Sequence, residues 1–309
     1  MSPSTICRNV VSSNPFSSDT SKEVRNMMEA RQNFQKMVIE KAIAKAKKIM
    51  EGHPETKFTM EEQMQFHSSA YELIVESMEG SNWLYERFKK TMEESIVSIV
   101  LPSLVGKNDD SLLRALIPIW SNYKLMARWL CKFFEYLDRC FLPQNKFSLD
   151  DTSKNCFQDL VFRELYPRCG VAAITMIRQE RKGLHIDRDL LKNVLLLFME
   201  IYDNSVSYYE DFERELLEET AAYYCQLAEQ WLLCYSTEDY IQKVYWCLNQ
   251  EKERASYYFP SSAEKLLKVA RYYLLDKTAD KLIEKQKGEN CGLVTDFQDM
   301  LSKCAGMKI

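Results

Sequence analysis

The chain has 309 residues, 46% hydrophobic and 28% charged, which is enough apolar material for about two domains' worth of buried core and excludes a disordered polypeptide. Its 41 Lys and Arg against 45 Asp and Glu give a formal net charge of -4, so there is no basic excess for a phosphate backbone and nucleic acid is not expected as a partner. Glycine and proline number only 8 each, too few for the tight turns of a sandwich, barrel or propeller, and point instead to long helices on short loops.

Residues 1–23 are rich in serine and lack the continuous apolar stretch of a secretory signal, so they read as a disordered tail. Residues 24–50 carry Val24, Met27, Met28, Phe34, Met37, Val38, Ile43 and Ile49, the stripe of an amphipathic helix that Gly52 and Pro54 end. Thr59 and Glu62 have capping-box spacing and open a second helix that runs to about residue 78. A third covers 83–100, stopped by Pro102, and a short fourth covers 111–117. The fifth, 123–141, is the most regular, with apolar residues every three or four positions up to Pro143. Segments centred on 156–165, 171–177, 190–202 and 208–233 follow, the last read as more than one helix. Residues 237–258 form another, and Ser261 with Glu264 predicts a second capping box ahead of 263–285. About ten helices with no strands between them predict an all-α stack of helical repeats.

No chemistry stands out along these helices. The longest apolar stretch, 194–199, is far short of the roughly 20 residues that span a bilayer, so no membrane segment is expected. Ten cysteines include no CxxC pair and fall largely on apolar stripes, as core thiols of a reducing compartment, cytoplasm or nucleus. With three histidines and no HExxH, neither a metal site nor a cofactor is expected. GxSxG, the P-loop and GxGxxG are missing from the sequence, and adjacent carboxylates such as Glu61 with Glu62 or Glu218 with Glu219 point to different sides of a helix. These are solvated faces, and no catalytic residue or enzyme activity is expected. The aromatic group Tyr208, Tyr209, Phe212, Tyr223, Tyr224 and Trp231, lacking basic companions, reads as core.

Four blocks, in order, carry a resemblance. They are WSNYKLMARWLCKFFEYLDRCF (120–141), IDRDLLKNVL (186–195), YEDFERELLEETAAYY (209–224) and EKERASYYFPSSAEKLL (251–267). Together they resemble the N-terminal region of the cullin family, cullin-1 type as in plants, from about residue 40 to 284. Cullins are rigid scaffolds of ubiquitin ligases. The resemblance implies an elongated stack of five-helix repeats: 24–165 as the first, adaptor-binding repeat, 166–287 as the second, and 288–309 as a truncated C-terminal tail. Within that tail, residues 296–309 with Phe297, Met300 and Leu301 are expected to fold back over the open end of the stack. The family's C-terminal half, which recruits the RING-box protein, has no counterpart here, so no RING-box partner is expected.

The resemblance also implies an adaptor site on the second and fifth helices, where a Skp-type adaptor, and through it an F-box protein, would dock. The second-helix segment QMQFHSSAY (63–71) is similar to a family pattern of about Y-M-x-L-Y-T-x-x-Y. Met64 and Tyr71 are kept, Phe66 is conservative, and Gln63 and His67 replace tyrosines. For Met64 the core and anchor roles are both open, and His67 reads as a surface polar residue. Tyr123, Lys124 and Met126 fall near the adaptor-contacting end of the fifth helix, while Trp120 and Trp129 read as packing residues. Pro118 stands where the family has lysine and is expected to shorten the fourth helix. Two functions follow: a scaffold subunit of SCF-type ligases acting in ubiquitin-dependent protein catabolism, or a degenerate helical repeat whose adaptor face has decayed.

Overall fold

A computed structural model describes residues 16–142, 147–203 and 206–289. Among the described residues the elements are helices on short connections and one two-residue antiparallel pair, β1 (Tyr202–Asp203) against β2 (Val206–Ser207). The helices fall into two compact units. The first takes the described residues of 1–103 and 119–160, and the second those of 104–118 and 161–309. Residues 1–15 and 290–309, with Cys7, Cys291, Cys304 and the expected fold-back, lie outside the described residues; of the expected 1–23 tail, residues 16–23 are instead the start of the first helix, Phe16–Met50.

In the first unit α1 (Phe16–Met50) packs on α2 (Met60–Glu76) and α3 (Met78–Ser95). Val38, Ile39, Ala42, Ile43, Ala46 and Ile49 of α1 face inward with Leu73, Leu84, Phe88 and Met92. The predicted capping box forms: Thr59 Oγ1 accepts from the Glu62 amide at 3.2 Å, and the Glu62 carboxylate accepts from the Thr59 amide at 2.8 Å. The corner between α2 and α3 is a single extended residue, Ser77, whose Oγ accepts from the Gly80 amide at 2.9 Å. Gly80 lies so close to α2 that an added Cβ would sit 2.2 Å from the Leu73 carbonyl oxygen. α3 passes without a break through a five-residue π turn (Ile96–Val100) into α4 (Leu101–Leu104), which contains Pro102.

The expected fourth and fifth helices are one, α5 (Asp109–Phe133), running straight through Pro118. Proline removes an amide donor and crowds the Arg114 carbonyl. Both residues lie on the exposed side, where solvent can reach a freed carbonyl, while Leu112, Leu113, Leu116, Trp120, Tyr123, Met126 and Leu130 hold the buried stripe in phase. A second π turn (Leu137–Phe141) follows, and then α6 (Leu149–Phe157), opened by a capping box of Ser148 and Asp151.

The second unit contains α7 (Arg163–Arg181), α8 (Arg188–Glu200), α9 (Tyr208–Cys234), α10 (Thr237–Tyr258), α11 (Ala263–Leu274) and α12 (Ala279–Gly288). Three expectations need correction here. Residues 208–234 form one 27-residue helix. Residues 263–285 form two, divided at the 3-10 turn Asp276–Thr278. Ser261 makes no capping box, because its hydroxyl meets the Tyr209 hydroxyl at 3.2 Å and Ser262 occupies the cap position.

Candidate functional site

The expected adaptor residues divide into those the fold exposes and those it uses for its own interior. Met64 is 66% exposed and Tyr71 43% exposed on the outer side of α2, which removes Met64 from the core. The Tyr71 ring meets the Tyr136 ring edge-on at 4.8 Å, and the His67 ring lies 5.2 Å from the same tyrosine. His67 Nε2 is 2.9 Å from Glu135 Oε1, so the imidazole is a half-buried bridge between α2 and the end of the fifth-helix block. Gln63 is also engaged: its Nε2 donates to the Phe58 carbonyl at 2.8 Å and its Oε1 accepts from Lys132 Nζ at 2.9 Å.

On α5 the expectation is corrected at two positions. Tyr123 is 1% exposed and Met126 0%, so neither can touch a partner. Tyr123 stacks on Trp120, meets the tilted Phe157 ring at 5.0 Å and donates its hydroxyl to the Ser153 carbonyl at 2.7 Å, and burial raises the phenol's pKa well above its usual value. Met126 accepts a long contact from Ser95 Oγ at 3.7 Å. Both sit on the stripe that phases α5 against α3 and α6. Lys124 is half-exposed, its ammonium 5.3 Å from the centre of the Trp120 ring.

The outward residues that sequence reasoning missed are Tyr136, Glu135, Arg139 and Lys132. Tyr136 joins Tyr71 and His67 into one aromatic patch, and Arg139 covers its ring at 5.3 Å while reaching Glu135 at 3.1 Å. Lys132 also lies 5.3 Å from the Trp129 ring, which packs on Phe58 and Phe133 beneath. The signal was in the spacing: 132, 135, 136 and 139 share one helical face, opposite the buried stripe. The patch therefore offers exposed sulfur and aromatic surface ringed by charge, the composition of a protein-binding face. No nucleophile paired with a base appears in it.

The second unit has a different centre. Glu251 of α10, enclosed, accepts from Arg181 Nη2 at 2.6 Å, from the Tyr224 hydroxyl at 2.6 Å and from Arg254. Arg254 also reaches Glu180 at 3.3 Å, and Arg181 donates to Thr220 at 2.8 Å. Burial alone raises the Glu251 carboxyl, but the charges of Arg181 and Arg254 and the Tyr224 hydroxyl outweigh it and hold it at about 2. This network ties α7, α9 and α10 together, a structural task. Burial pushes Cys156 and Cys247 up to about 11, which leaves these free thiols inert packing groups.

Comparison with known proteins bears on both units. The model of the Cullin alpha solenoid domain matches residues 20–308. Rice (Oryza sativa subsp. japonica) Cullin-1 is 42% identical over 271 residues, 86% of this chain and 36% of that protein. Putative cullin-like protein 2 of Arabidopsis thaliana is 37% identical over 271 residues, 86% of this chain and 72% of the relative. Cullin-like protein 3 of the same plant is 34% identical over 239 residues, 77% of this chain and 93% of the relative. The chain thus spans about a third of the length of rice Cullin-1 but nearly all of one shorter relative. With the solenoid match extending almost from end to end, the protein belongs to the cullin family and has that family's helical scaffold architecture.

Proposed function

We propose that the first unit is an adaptor-binding arm, which holds a Skp-type adaptor and through it an F-box protein in SCF-type ubiquitin-dependent protein catabolism, in the cytoplasm or the nucleus. The observation that carries this reading is the solvent-facing Met64 and Tyr71 beside Tyr136, on the helices where the family places its adaptor. Rigid helices give the arm its use, since a scaffold works by fixing the distance between what it carries. The degenerate-repeat alternative has its own support: Gln63 and His67 spend their polar atoms on Phe58, Lys132 and Glu135, which leaves them little to offer a partner.

Calorimetry with a Skp-type adaptor tests the proposal. Met64→Ala is expected to weaken binding, and Gln63→Tyr with His67→Tyr to tighten it by roughly 1 to 3 kcal/mol, because tyrosine adds apolar area at low rotamer cost. Equal affinity in all three forms, or no binding by the natural chain, sinks the adaptor reading.

A further inference from the structure

We infer that Cys225 and Lys277 form a peroxide-sensitive covalent bridge, in which oxidation of the sulfur is followed by a sulfur–nitrogen bond that ties α9 to the turn between α11 and α12. The inference concerns the second unit and is independent of the adaptor face. Cys225 is a half-buried free thiol on α9, and Lys277 stands exposed in the 3-10 turn Asp276–Thr278, 52 residues later. Lys277 Nζ donates to Cys225 Sγ at 3.4 Å, and the same ammonium lies 4.9 Å from the centre of the Tyr273 ring at the end of α11. The thiol in turn donates to Glu229 Oε1, one helical turn along α9, at 4.0 Å. A partly exposed sulfur thus has a primary amine on one side and a carboxylate on the other.

The setting differs from that of the packing thiols. Cys156, Cys169 and Cys247 are buried, and burial pushes them up to about 11, 12 and 11, away from the reactive thiolate. At Cys225 the neighbouring ammonium offsets the negative charge that sulfur carries as it attacks a peroxide. In the first step the thiol proton passes to Glu229, to which it is already donated, and sulfur attacks one oxygen of hydrogen peroxide. The O–O bond breaks, the departing hydroxide takes the proton back as water, and a sulfenic acid remains; sulfur has lost two electrons and the peroxide has gained them. The Lys277 pKa is raised, first by its hydrogen bond to Cys225, so the hold on its proton weakens once that sulfur is a neutral sulfenic acid. The amine, its proton given to solvent, attacks the sulfur. The S–O bond breaks, hydroxide leaves with one amine hydrogen as water, and the S–N bond is made with no further oxidant.

Mass spectrometry of the full chain after a stoichiometric dose of hydrogen peroxide decides, with peptides mapped in the absence of reductant. The expected product is a linked pair of peptides carrying Cys225 and Lys277, lighter than the two free peptides by two hydrogen atoms and separated again by dithiothreitol. Lys277→Gln is expected to abolish the link and to leave Cys225 as a sulfenic acid that dimedone captures, with the thermal midpoint unchanged because this side chain is exposed. Cys225→Ser is expected to abolish the link and the capture at this position alike. The inference is overturned if dimedone captures Cys225 equally in the natural chain and in Lys277→Gln, if Cys225 is found in a disulfide with another cysteine, or if it stays unoxidised.

Discussion

The two units solve the same problem of joining helices with different chemistry inside. The buried polar residues of the first, among those described, are uncharged: Gln35, Ser69, Ser81, Thr91, Ser95, Thr152, Ser153 and Gln158. Its ion pairs, such as Arg87 with Glu40, Lys45 with Glu62 and Lys47 with Glu94, lie at the rims of the helix contacts. The second unit instead encloses Glu251 between Arg181 and Arg254. Apolar packing tolerates small shifts of one side chain against another, whereas an enclosed ion pair fixes its partners through directional hydrogen bonds and becomes costly when one member is lost. The unit with apolar packing carries the exposed Met64 and Tyr71, while the second unit exposes large apolar side chains of its own, Leu233 and Trp246 among them.

The sharpest way to break this contrast is Glu251→Ala. It leaves two arginines buried without an acid, and a loss of about 3 to 5 kcal/mol is expected. Hydrogen exchange should show α7, α9 and α10 deprotected while α2 and α3 keep their protection; uniform loss would show that the ionic centre supports both units alike. Acid makes the same test without mutation. The Glu251 pKa is lowered from 4.5 to about 2 in the folded chain, so its stabilisation is fully present above about pH 4.5 and disappears as pH falls through about 2. The contribution is on the order of 3 kcal/mol. Denaturant titrations between pH 5 and 2 should show that slope, and Glu251→Gln should flatten it. Next comes Gly80→Ala, expected to cost about 2 kcal/mol in the first unit because the new methyl meets the Leu73 backbone oxygen, which cannot swing aside as a side chain would. A thermal melt reads this, and an unchanged midpoint would mean that the α2–α3 corner is looser than described. The smallest effect is expected from Tyr123→Phe, about 1 kcal/mol of stability for the hydrogen bond to Ser153, with adaptor affinity unaltered. A loss of affinity there would return Tyr123 to the docking face.

Much of this architecture was legible in the sequence because helix periodicity and capping chemistry are local. The Thr59–Glu62 box and the stripe of α1 needed only neighbours within a few turns. Pro118 misled because the cost of proline depends on which way the crowded carbonyl faces, and that is settled by the burial of Leu116 and Trp120 rather than by proline itself. The site was half legible for a related reason. A regular pattern such as Tyr123, Met126 and Leu130 shows that a helix has an apolar side but does not say whether its own fold or a partner covers it. Met64 lay outside the inward stripe of α2 and so belonged to the surface, while Tyr136 was hidden because its value comes from Tyr71 and His67, more than sixty residues earlier in the chain. The Glu251 network was hidden altogether. Its members, drawn from α7, α9 and α10, look like ordinary surface charges until those helices are brought together.

The π turns at Ile96–Val100 and Leu137–Phe141 carry a consequence for how such a chain can change length. A π turn holds one residue more than the α-helical turn it replaces, and the flanking helix keeps its direction. Deleting one residue there tightens the turn and leaves the faces on either side in their places, whereas a deletion elsewhere in the same helix rotates everything beyond it by about 100°. Together with a third π turn at Gln158–Phe162, these turns are therefore points where single-residue gaps between related chains can accumulate without moving the α2 face or the buried stripe of α5.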